Sequence, residues 1–447
     1  MTVPLAGEDA AWLHMDRREN PMVIAALLEL GGALDVPRLL RLIEERLLVI
    51  PRFRQRVVEP ALGAGAPVWE DVAVDLRAHV HHRAIGAGGE DALRRVTSEL
   101  ISAPLPRDRP LWEMHLLERP GAAPFVLCRI HHAVADGFAL LGVLLSLCDA
   151  APDARAAAVQ FDAQPERLHA GAALLRSARR FGAALAEEAG ETLRHPKHAA
   201  ELAGTGLRYG AALARLISLP PDHRTVLRGP LGPEKRVAWT GSLPLATVRS
   251  IGRERGATIN DVLMATLTGG LRRYLARRGE DVGSLELRAM IPVNLRPLDR
   301  PVSLGNHFGL VLLDLPVRLE DAGARLSEVK RRMDALKHSP EAVVGMAIVG
   351  AMGLAPRALE SLGVRFFTDK ASAVLTNVPG PKEPLAISGA PIRRILFWVP
   401  QSGELGLGLS IFSYAGQVSL GVMSDAARIP DPEQLVADIE AEHAAFG

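Results

Sequence analysis

The chain has 447 residues, 48% apolar and 23% charged, with a formal net charge of +1. That length suggests two domains, the composition excludes a disordered chain, and the charge gives no global argument for nucleic acid. Only Cys128 and Cys148 occur, both in apolar stretches and without a CxxC spacing, which excludes a disulfide framework and points to a reducing compartment. The first residues lack the basic and then apolar pattern of a secretory leader. Apolar runs are broken before the roughly 20 residues needed to cross a bilayer. A cytoplasmic protein is expected, with surface contact to a membrane allowed.

In chain order, "PMVIAALLELG" reads as a buried strand. "DVPRLLRLIEERLLVIP" reads as an amphipathic helix, capped by Asp35 and with Leu39, Leu40, Ile43 and Leu47 on one face. "VDLRAHVHHRAI" alternates like a strand with one wet face, and "EDALRRVTSELISAPL" is a helix ended by Pro104. "LWEMHLLE" and "APFVLCRIH" are two strands joined at the turn-like "RPGA". This order predicts an α/β sandwich with a mixed sheet.

From about Asp153 to Arg236 the chain is rich in Ala, Arg and Gly. Leu174, Ala178, Phe181 and Leu185 form a narrow stripe at helical spacing, with Arg176, Arg179 and Arg180 opposite. The stretch is either a linker helix packed on a domain surface or a basic amphipathic face that touches anionic lipid. Breaks at His195-Pro196 and Pro220-Pro221 divide it as a helical crossover would be divided. The second half returns to strand-like segments, "KRVAWTGSLPL", "ELRAMIPVNLR", "GLVLLDLPV", "ASAVLTNVPGP", "RRILFWVP", "LGLSIFSYAG" and "QVSLGVMSD". Between them lie helix-like "LATVRSIGRERG", "INDVLMATLTGGLRRYLARRG" and "AGARLSEVKRRMDALKH". Two α/β halves, 1–152 and 237–447, joined by a crossover at 153–236, are the simplest account.

No G-x-S-x-G elbow, H-E-x-x-H, P-loop or G-x-G-x-x-G before a helix occurs, so serine-hydrolase, zincin, nucleotide and dinucleotide readings lack support. His79, His81 and His82 have no carboxylate or Cys at ligand spacing, and no metal is expected there. The notable stretch is "HHAVADG", residues 131–137, at the end of a greasy strand. A strand that delivers His132 at its tip leaves the imidazole at a cavity edge, where in neutral form it can take a proton from a hydroxyl. Asp136 either orients that imidazole or pairs with an Arg that braces the loop. Gly137 lets backbone approach a ligand and opens the apolar helix "FALLGVLLSLC".

HHxxxDG after a buried strand resembles the acyltransferase superfamily of chloramphenicol acetyltransferase and the condensation domains of peptide synthetases. "PLWE" at Pro110–Glu113, "INDV" with Asn260 and Asp261, "MIPVNLRP", "TNVPGP" with Asn377, and "SYAG" narrow it, in that order. Together they resemble the bacterial wax ester synthase/diacylglycerol acyltransferase family, from "DAAWLHMDRRENPM" to "IPDPEQLVADIEAE". Thr376, where a Ser is common in the family, is a small departure that touches substrate choice and not reaction class.

The resemblance implies two chloramphenicol-acetyltransferase-like α/β sandwich domains with mixed sheets, joined by a helical crossover, with a tunnel between them. It makes His132 the general base, His131 a supporting neighbour, Asp136 mainly structural and Gly137 part of the same motif. Pro110, Leu111, Trp112, Asn260, Asp261 and Asn377 fall at its substrate-binding positions, and Arg296 is the candidate partner of Asp136. For several of these a plain role stays open: "NDV" as a helix cap, "NVPGP" as a rigid loop, Trp112 as core.

The implied activity is long-chain acyl transfer from acyl-CoA, a co-substrate, to diacylglycerol or a fatty alcohol. It proceeds directly, with no cofactor and no nucleic-acid partner, and with peripheral contact at a membrane or lipid droplet allowed. Two alternatives remain: a condensation or polyketide-type acyltransferase fed by a carrier protein, and a non-catalytic lipid-binding protein of the same fold.

Overall fold

The computed structural model describes residues 2–59, 67–86, 88–119, 121–149, 208–294, 304–306, 308–337, 339–353, 357–401 and 403–446. Arg296, the stripe from Leu174 to Leu185 with its arginines, and His195 and His198 lie outside the described residues.

Two mixed sheets form the framework. The first runs Ala386–Ile387, Ala390–Trp398, Val23–Leu30, Phe125–His131, Trp112–Glu118 and Val80–Ala84. Its last pair is parallel and its other pairs are antiparallel. The second runs Phe308–Leu315, Leu287–Asn294, Ala373–Pro379, Leu407–Tyr414, Gln417–Asp425 and Lys235–Trp239, with Leu243–Pro244 also on Gln417–Asp425. Its parallel pairs flank Ala373–Pro379. Thr2–Pro4, Gln55–Val58 and Val68–Asp71 make a small third sheet.

The local signals form the elements they predict. Asp35 caps helix Val36–Leu42, accepting from Arg38 N at 2.9 Å, and the helix continues as a wider π turn over Ile43–Leu47. Leu39, Ile43 and Leu47 are buried. Strand Val80–Ala84 is shorter than the alternation in "VDLRAHVHHRAI" suggests, because Asp75 caps a 3-10 turn over Leu76–Ala78. Helix Gly89–Ser102 covers one face of the first sheet, where Ala92, Leu93, Val96 and Leu100 join Leu117 and Leu127, together with Val237 and Trp239 of the second sheet.

The two halves are not self-contained. Strand Ala390–Trp398, expected within the second half, leaves that sheet and pairs with Val23–Leu30, register Trp398↔Ala25. Leu396 and Trp398 pack under helix Gly89–Ser102, and Ile395 and Phe397 face the opposite core. A strand buried on both faces needs a sheet with cover on each side, and the first sheet offers that. The span 237–447 therefore contributes to both sheets. Lys235 on the second sheet is buried with Asp425, Nζ to Oδ2 2.6 Å, and its backbone N–H donates to Ser102 Oγ of the first half at 2.8 Å.

No described helix is long and apolar enough to cross a membrane.

Candidate active site

Strand Phe125–His131 pairs with Val23–Leu30 up to His131↔Val23, and His132 N–H extends the ladder by donating to Met22 O at 2.7 Å. The chain then turns, and Asp136 starts helix Gly137–Leu147. Asp136 Oδ1 accepts from Phe138 N and Ala139 N, both at 3.1 Å. Of the two roles expected for Asp136, the one the geometry displays is structural, as an N-cap that satisfies two otherwise unpaired donors. Gly137 does not adopt a left-handed conformation, and a Cβ there would meet Val378 at an ordinary 3.7 Å. Gly137 lines a cavity beside that position.

The paired histidines do different things. His131 Nδ1 accepts from Ala133 N at 3.0 Å, which puts the ring proton on Nε2, 3.6 Å from Asp16 Oδ2. Burial pushes the Asp16 carboxyl up, but His131, Met22 N–H and Arg107 outweigh it and hold the group at about 2. His131 is thus a brace, tied to an ionised aspartate.

The His132 ring stacks on the Trp12 indole, with centroids 3.8 Å apart and planes 12° apart, and Phe308 stands 5.9 Å away at a tilt. Burial among these rings lowers its pKa from the usual 6.5 to about 4, against a partial pull upward from the Asp136 carboxylate. At neutral pH His132 is uncharged, the state in which an imidazole accepts a proton.

Asn306, which was not singled out in the sequence, closes the back of this histidine. Its Nδ2 donates to the His132 carbonyl oxygen at 2.9 Å and to Asp9 Oδ1 at 2.9 Å. Asp136 N–H donates to Gly305 O at 3.4 Å, so the segment 304–306 is docked on the HHAVADG loop. Asp9, Trp12 and Asp16 come from helix Gly7–Met15 and the residue after it. The signal that could have found them was the stretch "DAAWLHMD", where the family resemblance begins.

Next to the motif lies an almost wholly apolar, narrow cavity. Gly137, Leu140, Leu141, Leu144 and Leu147 line one side. At about 1.5 Å per residue they make a stripe about 15 Å long. Trp112, Met114, Cys128 and Ile130 of the first sheet form the floor, with Ile395 and Phe397 from the crossing strand and Val378 and Phe412 from the second half. Burial pushes the Cys128 thiol up to about 12, so no thiolate stands in the cavity at neutral pH.

The other expected positions fall around this core. Pro110, Leu111 and Trp112 are buried. Trp112 Nε1 donates to Phe53 O at 2.9 Å, and Leu111 O accepts from His131 N–H at 3.0 Å, so this segment is both wall and scaffold. Asp261 is a cap, closing a reciprocal box with Thr258 at the start of helix Ile259–Arg277. Asn260 Oδ1 accepts from Asn377 Nδ2 at 2.8 Å, which ties the ND pair to the NVPGP loop. The structure thus brings Asn260 and Asn377 together and separates Asp261 from them in role. Of the other histidines, His79 is buried, donating from Nδ1 to Trp112 O at 2.8 Å, and His81 stacks on His115. Among the described residues no group of three or more His, Cys, Asp or Glu has a metal-binding arrangement.

Residues 5–263 match the family model "Wax ester synthase/diacylglycerol acyltransferase catalytic domain", and residues 304–445 match "WS/DGAT C-terminal domain". A Mycobacterium tuberculosis protein named "Probable diacyglycerol O-acyltransferase tgs1" is 30% identical over 97% of this chain and 93% of its own length. The solved wax ester synthase/diacylglycerol acyltransferase from Marinobacter aquaeolei superposes with a TM-score of 0.69 at 21% identity, covering 99% of this chain and 98% of that one. The first condensation domain of the calcium-dependent antibiotic synthetase shares the fold, with a TM-score of 0.63 at 15% identity over 100% of this chain and 95% of that one. With both halves of the chain matched, and HHAVADG set at a buried strand end within the first, the chain belongs to the wax ester synthase/diacylglycerol acyltransferase family.

Proposed function

We propose that the protein transfers a long-chain acyl group from acyl-CoA to the hydroxyl of diacylglycerol, giving triacylglycerol, or of a long-chain fatty alcohol, giving a wax ester. The observation that supports this reading is the buried His132 imidazole in a motif whose Gly137 lines an almost wholly apolar cavity, surroundings suited to a hydrocarbon chain. The names of the curated relatives favour diacylglycerol as acceptor.

In this reading His132 takes the proton of the acceptor hydroxyl while its oxygen attacks the thioester carbon. The tetrahedral oxyanion is met by the Gly137 backbone N–H at the positive end of helix Gly137–Leu147. As the C–S bond breaks, the imidazolium returns its proton to the CoA sulfur. Both cysteines have thiols pushed up to about 12 by burial, which favours direct transfer over an acyl-enzyme. Acyl-CoA is the co-substrate and no cofactor is needed. Trp12, Phe308 and the cavity wall keep water from a base poised beside a thioester.

The test is release of CoA from palmitoyl-CoA with dioleoylglycerol or hexadecanol as acceptor. Wild type is expected to turn over at least one pair, and His132→Ala to lose activity by at least about a hundredfold while melting as a folded protein. Near-wild-type turnover by that variant would remove His132 as the base. Lipid acceptors also call for contact with a lipid surface. Tyr209, Leu213 and Ile217, exposed along one face of the helix over 208–218, supply an apolar stripe for it. Co-sedimentation with anionic liposomes at low salt is expected, and protein left in the supernatant would count against that contact.

A further inference from the structure

The amide of Asn306 has an orientation that chemistry fixes. Its nitrogen faces two groups that can only accept, the Asp9 carboxylate and the His132 carbonyl, both at 2.9 Å. Exchanging O and N would set the amide oxygen against two oxygens, so both N–H protons are committed and Oδ1 must look elsewhere. Asp9 is itself held, with Oδ1 taking the Asn306 backbone N–H at 3.2 Å and Oδ2 lying 3.7 Å from Arg52, whose guanidinium covers the Trp69 ring. Asn306 is buried, and its Oδ1 has no hydrogen bond of ordinary geometry.

The same holds for His132 Nδ1, also buried and without an ordinary hydrogen bond. Burial disfavours a proton on this imidazole; Asp136, the residue's own backbone and then Asn306 pull the other way. An orphaned acceptor and an orphaned ring nitrogen thus sit on one short segment pair, and leaving both unmatched would cost each its full desolvation.

We infer that Asn306 is a positioning residue that selects the tautomer of His132: its amide, oriented by Asp9, offers Oδ1 to Nδ1–H and thereby leaves Nε2 as the unprotonated nitrogen. The inference rests on the reading of His132 as a base and adds, to the residue's own carbonyl, a second group that leaves the correct ring nitrogen free. An imidazole in the other tautomer would present N–H to the acceptor hydroxyl and could not take its proton. The arrangement also makes the base depend on both halves of the chain. Asp9 and His132 belong to the first, Asn306 precedes strand Phe308–Leu315 of the second, and the base is set only when they are docked.

The tautomer can be read without substrate. The full chain is labelled with 15N-histidine, the two ring nitrogens of His132 are assigned by their loss in His132→Ala, and long-range 1H–15N correlation reports which one is protonated. Wild type is expected to show protonated Nδ1 and free Nε2. Asn306→Ala is expected to shift His132 toward a mixture and to lower kcat about ten- to a hundredfold, the size expected from one buried hydrogen bond, with KM for palmitoyl-CoA within about twofold. Asn306→Ser, which keeps a short acceptor, is expected to recover part of both. A protonated Nε2 in wild type overturns the inference even if neither variant folds, and so does an Asn306→Ala protein with unchanged tautomer and kcat. If the expected tautomer is found but no acyl transfer occurs, the proposed reaction fails and the inference on Asn306 stands.

Discussion

Lowering the pH should destabilise the folded protein through His132 by an amount set by its surroundings. In the unfolded chain this imidazole titrates near 6.5; in the fold, burial against Trp12 and Phe308 brings it to about 4, with Asp136 opposing and His131 adding to the fall. A folded pKa below the unfolded one means that the unfolded chain binds the extra proton between those values. Stability is unaffected above about pH 6.5, declines as pH falls from there, and levels off below about pH 4. The gap is worth about 3 kcal/mol.

His132→Gln removes this titration and leaves every other group in place. The fall in melting temperature between pH 8 and pH 4 should therefore be larger in wild type than in the variant. With an unfolding entropy of about 0.9 kcal/mol/K for a chain of this length, the excess is about 3 °C. Matched thermal melts of the two proteins across that range measure it. Parallel curves would refute the argument, because they would mean that His132 is not desolvated. The same environment predicts no acid limb from His132 in kcat/KM until about pH 4, and a limb near pH 6.5 would count equally against it.

Two further substitutions probe the supports of the site. Asp136→Ala removes the acceptor for Phe138 N and Ala139 N and should cost about 1–2 kcal/mol in chemical denaturation, whereas Asp136→Asn, which keeps an acceptor, should cost less; equal losses would show that capping is not its main contribution. A Cβ on Gly380 would stand 2.3 Å from Ser413 O and 2.6 Å from the Phe412 ring, which walls the cavity. Gly380→Ala should therefore displace the NVPGP loop, cost about 1–3 kcal/mol, and reduce turnover of palmitoyl-CoA. A variant with wild-type melting and turnover would contradict that packing.

Residue patterns along the chain announced much of this protein. A greasy strand ending in paired histidines, a short turn and an Asp-Gly before an apolar helix define a site by local rules, because strand, N-cap and helix signals all lie within a few residues of one another. The strand-like segments of the second half also fall on strands. Sequence could not tell which sheet the strand Ala390–Trp398 would join, since apolarity reports burial and not the neighbour that provides it. Nor could it show that Asp261 would be spent on a cap while Asn260 reached Asn377.

The environment of His132 was likewise set only in three dimensions. Its ring is stacked by a tryptophan from the first helix, and its carbonyl is held by an asparagine 174 positions away, whose amide is oriented by an aspartate 297 positions away. Sequence determined that a pair of histidines stands at the end of a greasy strand. Tertiary structure decided the charge of His132 and its neighbours, because desolvation and long-range hydrogen bonds exist only once distant segments are packed together.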